Sequence, residues 1–181
     1  MFVRVKNIKG RPYAYLVENE WTPWGSRQRV VSYLGRARLL EREHNTIEKL
    51  PDGFERAIKT AIEQELKNHG FKKHDDKYIK GQIVVDLNRK RVRFSKKQTV
   101  LGMNEGFLCE HTLKELLEYT PKEKQAVAAK KLAMLALESG LNLTQEQFVH
   151  IFEQAKKKTI KSENIDEGIQ DTEKTNSEAD L

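Results

Sequence analysis

The first 35 residues constrain the fold more than any other stretch of the chain. Phe2 to Ile8 alternates apolar and polar side chains, Arg11 to Trp21 is rich in aromatic and β-branched residues, and Arg27 to Leu34 closes the pattern. Lys9-Gly10 and Thr22-Pro23-Trp24-Gly25-Ser26 separate the three runs with residues suited to turns. Period-two runs between turn signals predict a three-stranded antiparallel meander that ends at Gly35. Successive strand side chains point to opposite faces. One face should therefore hold Val3, Val5, Ala14, Leu16, Val30 and Leu34 as a core, and the other Arg4, Lys6, Tyr13, Tyr15, Arg27, Arg29 and Tyr33.

Cations interleaved with tyrosines on one sheet face suit a polyanion. Ammonium and guanidinium groups neutralise phosphates and release counterions. Arginine reads guanine through a bidentate contact, and a β-ribbon fits the major groove of B-form DNA. Tyrosine rings stack on exposed bases. Two blander readings stay open. The face is a solvated surface kept soluble by its arginines, or a helix covers it and the tyrosines are core.

The charge distribution points the same way. The chain of 181 residues carries a net +6. Residues 161–181 hold two lysines against seven carboxylates, a local −5, which leaves +11 on residues 1–160. A basic body with an acidic tail is a common form for a nucleic-acid binder. The tail lacks aromatics and is expected to be disordered. The single cysteine, Cys109, allows no disulfide within the chain and fits a reducing cytoplasm. The most apolar run, Ala126 to Leu137, is interrupted by Lys130 and Lys131, so no membrane span is expected.

After the meander, Ala37 to His44 suggests a short helix. Asp52 and Glu55 have the spacing of a capping box, opening a helix that runs to about His69 and stops at Gly70. Phe54, Ala57, Ile58, Ala61, Ile62 and Leu66 form its apolar stripe. Lys77–Leu87 and Arg91–Phe94 should pair across a turn at Asn88-Arg89-Lys90, with Thr99–Leu101 as a further short strand. Thr112 and Glu115 suggest a second capping box for a helix ending near Tyr119. Lys122–Ser139 reads as a third helix closed by Gly140, and Thr144 with Gln147 caps a fourth that reaches about Lys158.

The expected fold class is α+β. An N-terminal three-stranded antiparallel sheet is followed by a helix, a second small β-hairpin sheet, a C-terminal helical group and a disordered acidic tail. The corresponding segments are 1–36, 37–120, 121–160 and 161–181.

A second basic cluster runs from Lys72 to Lys97. Arg89, Lys90, Arg91 and Arg93, at and beside the tip of its hairpin, are further candidate nucleic-acid contacts. The alternative is a sheet edge blunted by charge against aggregation.

The segment Phe2-Val-Arg-Val-Lys-Asn-Ile-Lys-Gly-Arg-Pro-Tyr-Ala-Tyr-Leu-Val-Glu18, with Arg27-Gln-Arg-Val-Val-Ser-Tyr-Leu-Gly35, resembles the N-terminal β-rich segment of insertion-sequence DDE transposases. The resemblance covers residues 1–36 only. It implies a small DNA-associated sheet and Arg4, Lys6, Arg27 and Arg29 as contacts. It does not extend to the catalytic domain of that family, whose three metal-binding carboxylates have no counterpart in the rest of this chain.

Other constellations carry less. His69, His74, Asp75 and Asp76 match no zinc or two-metal spacing. Cys109 and His111 are sequence neighbours without an orienting third group, and Cys109 reads better as a small buried hydrophobe. Gly102 to Gly106 lacks the Gly-Lys-Ser/Thr ending of a phosphate loop. No catalytic residue, metal site or cofactor is expected. The apolar stripe Val127, Leu132, Leu135, Leu137, Phe148, Ile151 and Phe152 suits an internal core, or else a homodimer or protein-partner surface on the C-terminal helices. The expected function is non-catalytic nucleic-acid binding with double-stranded DNA as the partner. An RNA- or ribosome-associated protein is the nearest alternative. A protein-interaction adaptor, using the tyrosine face and the C-terminal helices, is the alternative from another class.

Overall fold

β-Branched and aromatic residues in alternation build the N-terminal half of the sheet. In the computed structural model, which describes residues 1–158, β1 (Phe2–Ile8), β2 (Arg11–Thr22) and β3 (Gly25–Leu39) form the antiparallel meander. The acidic segment 161–181 lies outside the described residues. Lys9 and Gly10 make the first turn with φ of 51° and 75°. Gly35 does not end the third strand. β3 runs on through Arg36, Ala37 and Arg38, so the short helix expected at 37–44 is absent.

Helix α1 (Phe54–Asn68) follows, then six short strands: β4 (Lys72–His74), β5 (Lys77–Lys80), β6 (Ile83–Asp86), β7 (Arg91–Phe94), β8 (Lys97–Met103) and β9 (Gly106–Leu108). The run Lys77–Leu87, expected as one strand, is split by a turn at Gly81, where φ is 57°. Helices α2 (Glu110–Leu117), α3 (Gln125–Glu138) and α4 (residues 145–158) complete the α+β fold.

The two β regions are not separate sheets. Among the described residues the strands form one sheet in the order β1-β2-β3-β8-β7-β6-β5-β4, with β9 paired to β8. The joint is parallel, from Arg36 opposite Thr99 to Leu39 opposite Gly102. Gly35 makes this approach possible. It has φ 108°, and a Cβ there would run into the Gln98 carbonyl.

The main core lies between the second β region and the helices. Ile58, Ile62 and Leu66 of α1 meet Val85, Val92 and Leu101 of the strands, Leu113 and Leu116 of α2, Leu132 of α3 and Ile151 of α4. Each such side chain contributes about 1.5–3 kcal/mol by leaving water. A smaller cluster under the meander joins Ala14, Leu16, Leu34 and Ala37 to Val100 and Cys109. The C-terminal apolar stripe divides. Leu132, Ile151 and Phe152 are buried and Leu135 and Phe148 pack against the core, whereas Val127 and Leu137 are exposed.

Residues 40–53 are irregular and lie along α1, which presents a row of buried polar side chains to them. The Glu43 and His44 amides donate to the Asn68 carbonyl, Asn68 brackets Thr46 with two bonds of 2.9 and 3.0 Å, and the Glu48 amide donates to Gln64 at 2.7 Å. Arg42 pairs with the buried Glu65. The capping box expected from Asp52 does not form. Gly53 is the N-cap of α1, and Gln154 of α4 accepts from the Gly53 amide (2.9 Å) and donates to the Asp52 carboxylate (3.2 Å). Thr112 is the third residue of α2 rather than its cap, and accepts from the Cys109 amide at 3.0 Å. Thr144 and Gln147 do make reciprocal capping bonds, of 3.3 and 3.2 Å, at the start of α4.

Candidate nucleic-acid interface

Residues paired across an antiparallel ladder share a face, so the register decides which cations and tyrosines sit together. Arg4 lies opposite Tyr15 and Lys6 opposite Tyr13. Tyr15 lies opposite Tyr33, and Tyr13 opposite Arg36. The three rings form a cluster, with Tyr33 6.3 Å from Tyr13 and 5.5 Å from Tyr15 between centroids. The Lys6 ammonium stands 5.7 Å from the Tyr15 ring. Tyr33 is 56% exposed, so the cluster faces outward rather than into the core. Partial desolvation, and after it the neighbouring Tyr13 and Tyr15 hydroxyls, raise its hydroxyl pKa.

Arg27 and Arg29 are not on this face. The ladder between β2 and β3 shifts between Ala14 and Tyr15 and again between Leu16 and Val17, leaving Leu34 and Val31 as extra residues on β3. Each bulge sets two β3 residues against one of β2 and shifts the alternation of the strand beyond it. Glu18 and Glu20, on the face of Ala14 and Leu16, therefore oppose Arg29 and Arg27. Arg29 forms an ion pair with Glu18. The same shift carries Val30 out of the expected core, and it is 48% exposed.

Arg36 and Arg38 take the place of the two lost arginines. They follow Gly35 on the extended part of β3, and Arg36 joins the tyrosine face directly through its pairing with Tyr13. The signal was present as the alternation Arg36-Ala37-Arg38, but Gly35 reads in sequence as a strand end. Arg11 sits on the same face by its place on β2. Among the described residues, the β1–β3 positions of this face carry no carboxylate. At the far end of the β2–β3 hairpin Trp21 and Trp24 are 82% and 96% exposed.

The second basic cluster is differently placed. Lys90 pairs with Glu118, Arg93 with Glu110, Lys73 with Glu63 and Lys80 with Glu43. Arg91 lies opposite Asp86, which also accepts the Arg89 amide at 2.9 Å. Asn88 is within 3.3 Å of Lys59 on α1. The tip that carries Arg89, Lys90 and Arg91 is thus tied to the helices and to local carboxylates, and does not join the tyrosine face.

His69, Asp75 and Cys109, from the constellations set aside above, have structural placements. His69 is fully buried with Nδ1 2.8 Å from the Glu65 carbonyl, and Asp75 is in the β4–β5 turn with φ 52°. Cys109 is buried, and burial pushes its thiol pKa up, away from a reactive thiolate. Among the described residues no group of three or more His, Cys, Asp or Glu side chains is arranged to hold a metal ion. No helix among them is long and apolar enough to cross a membrane. A scan of protein-family models, a search of curated proteins and a search of solved structures each found no match to this chain.

Proposed function

We propose that this protein is a non-catalytic, cytoplasmic nucleic-acid-binding protein, with double-stranded DNA as partner, that engages it through the outer face of the β1–β3 meander. The observation that carries the reading is the composition of that face. Arg4, Lys6, Arg11 and Arg36 surround a cluster of three tyrosines, and among the described residues the β1–β3 positions of this face carry no carboxylate. Charges held without partners cost self-repulsion, which phosphates relieve on binding. Elsewhere Lys73, Lys80, Lys90 and Arg93 of the second cluster are each paired with a carboxylate, so these four charges are matched within the fold. The likeness of residues 1–36 to a transposase accessory segment is kept in this reading as a kinship of the sheet, with Arg4 and Lys6 as its contacts.

The test is a salt titration against matched duplex and single-stranded oligomers, with wild type, Arg4→Ala and Tyr15→Ala. Each phosphate contact adds about −0.9 to the slope of log affinity against log salt for a duplex. Arg4→Ala should therefore flatten that slope by roughly one unit. Tyr15→Ala should change duplex affinity little, whereas a stack on a single-stranded base is worth roughly 1–3 kcal/mol. A larger loss on the single strand would replace the duplex by a single-stranded partner. No retention of any polynucleotide at low salt would leave the adaptor reading in its place.

A further inference from the structure

The inner end of the tyrosine face narrows into a cleft of about 530 Å³ between β3 and the β7–β8 turn, lined among others by Tyr33, Arg36, Arg38, Phe94, Lys97 and Thr99. Its floor is set by the parallel joint of β3 and β8. The buried Thr99 hydroxyl donates to the Arg36 carbonyl at 2.7 Å, which fixes the backbone beneath both arginines. The Arg38 guanidinium carbon lies 3.1 Å from the centroid of the Phe94 ring. A guanidinium resting on an aromatic ring is held in one orientation, so its donors are aimed before any ligand arrives.

Arg38 is incompletely satisfied. Its Nε is buried without a hydrogen-bond partner, and no carboxylate is within ion-pair reach among the described residues. A buried donor left unpaired is costly. Burial and the neighbouring Arg36 both disfavour the charge, yet a guanidinium keeps its proton in water near neutrality. The repulsion between Arg36 and Arg38 therefore persists in the free protein. Lys97 adds a third cation to the rim, again without an acidic partner among the described residues.

We propose that this cleft is a phosphate-binding site, in which Arg38 holds a phosphate group with the fork of its terminal guanidinium nitrogens and Arg36 and Lys97 supply charge. A tetrahedral oxyanion offers several acceptors at once, enough to satisfy the Arg38 fork and a neighbouring cation together. The inference rests on the nucleic-acid reading for the source of the phosphate, which is either a phosphodiester within the bound strand or a monoester at its end. Tyr33 stands at the mouth of the cleft, where the ring meets the sugar or base attached to that phosphate.

The experiment uses the full chain with inorganic phosphate, 5′-phosphorylated oligonucleotides and 5′-hydroxyl oligonucleotides. Side-chain nitrogen NMR follows the arginine Nε–H groups during the phosphate titration. Wild type is compared with Arg38→Lys, which keeps the charge and loses the fork, and with Lys97→Gln on the exposed rim. Circular dichroism checks each fold. The expected result is a phosphate-dependent shift of one arginine Nε–H that disappears in Arg38→Lys, with oligonucleotide affinity lowered roughly tenfold, the loss of about one charge-assisted bond. Lys97→Gln should flatten the salt slope by about one unit. Tighter binding of the 5′-phosphorylated strand assigns the site to a terminal monoester, and equal binding assigns it to an internal phosphodiester. Unchanged phosphate and oligonucleotide binding in folded Arg38→Lys and Lys97→Gln would overturn the site while the nucleic-acid reading stands. Phosphate bound at Arg38 with no oligonucleotide bound at all would keep the anion site and overturn that reading.

Discussion

Arg29 and Arg36 share β3 but differ in what opposes them. Arg29 faces Glu18 and is neutralised by it, and Arg36 faces Tyr13 with no ion pair among the described residues. The expected consequence is a split between two otherwise similar substitutions. Arg36→Ala should flatten the salt dependence of polynucleotide binding by about one unit, and Arg29→Ala should leave slope and affinity unchanged. A fluorescence-anisotropy titration at several salt concentrations reads both. Equal effects of the two changes would mean that the bound surface wraps both faces of the hairpin. Arg4, Lys6, Tyr13, Tyr15 and Tyr33 were legible as one face because the β1–β2 ladder is regular and Tyr33 is level with Tyr15. Arg27 and Arg29 were not, because Leu34 and Val31 are good strand residues and nothing in their type announces a bulge.

The segment 40–53 shows how an element without regular structure is held. Its amides bond to Asn68 and Gln64, and its Arg42 meets Glu65, whose side chain is only 1% exposed. Removing Arg42 strands a buried carboxylate with Asn104 as its nearest donor, at 3.3 Å. Arg42→Ala should therefore lower the unfolding free energy by about 2–3 kcal/mol, and adding Glu65→Gln should recover part of it. Urea denaturation of the single and double variants checks this. Acid acts on a second set of ties. Glu43, Glu55, Glu118 and Glu123 are each held below the usual carboxylate value of 4.5, first by a hydrogen bond from Lys80, Lys59, Lys90 and Lys131 respectively. A depressed carboxylate stabilises the fold above its unfolded pKa, and that stability is lost as pH falls through the folded value. The urea midpoint should thus begin to fall below about pH 6.5, where burial of His111 disfavours its protonation, and decline further below about 4.5 as the four carboxylates protonate. The apolar stripe of α1 and the cap of α4 could be read from spacing. The path of 40–53 could not, because the polar residues of α1 that receive it look in sequence like a solvated helix face.

At the scale of the molecule, one short parallel pairing joins the meander to the helical body. β3 and β8 run side by side only from Arg36 to Leu39 and from Thr99 to Gly102. Gly35 stands at its entrance, against the Gln98 carbonyl. A side chain there meets backbone, which cannot move aside, and must also adopt a left-handed φ. Gly35→Val should cost at least about 2 kcal/mol. Its particular signature should be faster amide exchange in β1–β3, with β5–β7 still protected. Uniform loss of protection would show that meander and body unfold as one unit. The α+β class was readable from the runs of alternation and of helical spacing. The union into one sheet was not, since a parallel pairing between distant segments leaves no local pattern in the sequence.

The exposed β2–β3 tip has a spectroscopic consequence. The chain has two tryptophans, and both Trp21 and Trp24 sit there, almost fully in water. Their emission should already be that of a hydrated indole in the native protein. Denaturant should shift it little, so a tryptophan trace would look flat while circular dichroism records cooperative unfolding. The same fluorophores lie next to the proposed binding face and far from the α-helical core, so quenching on addition of polynucleotide reports the hairpin tip alone.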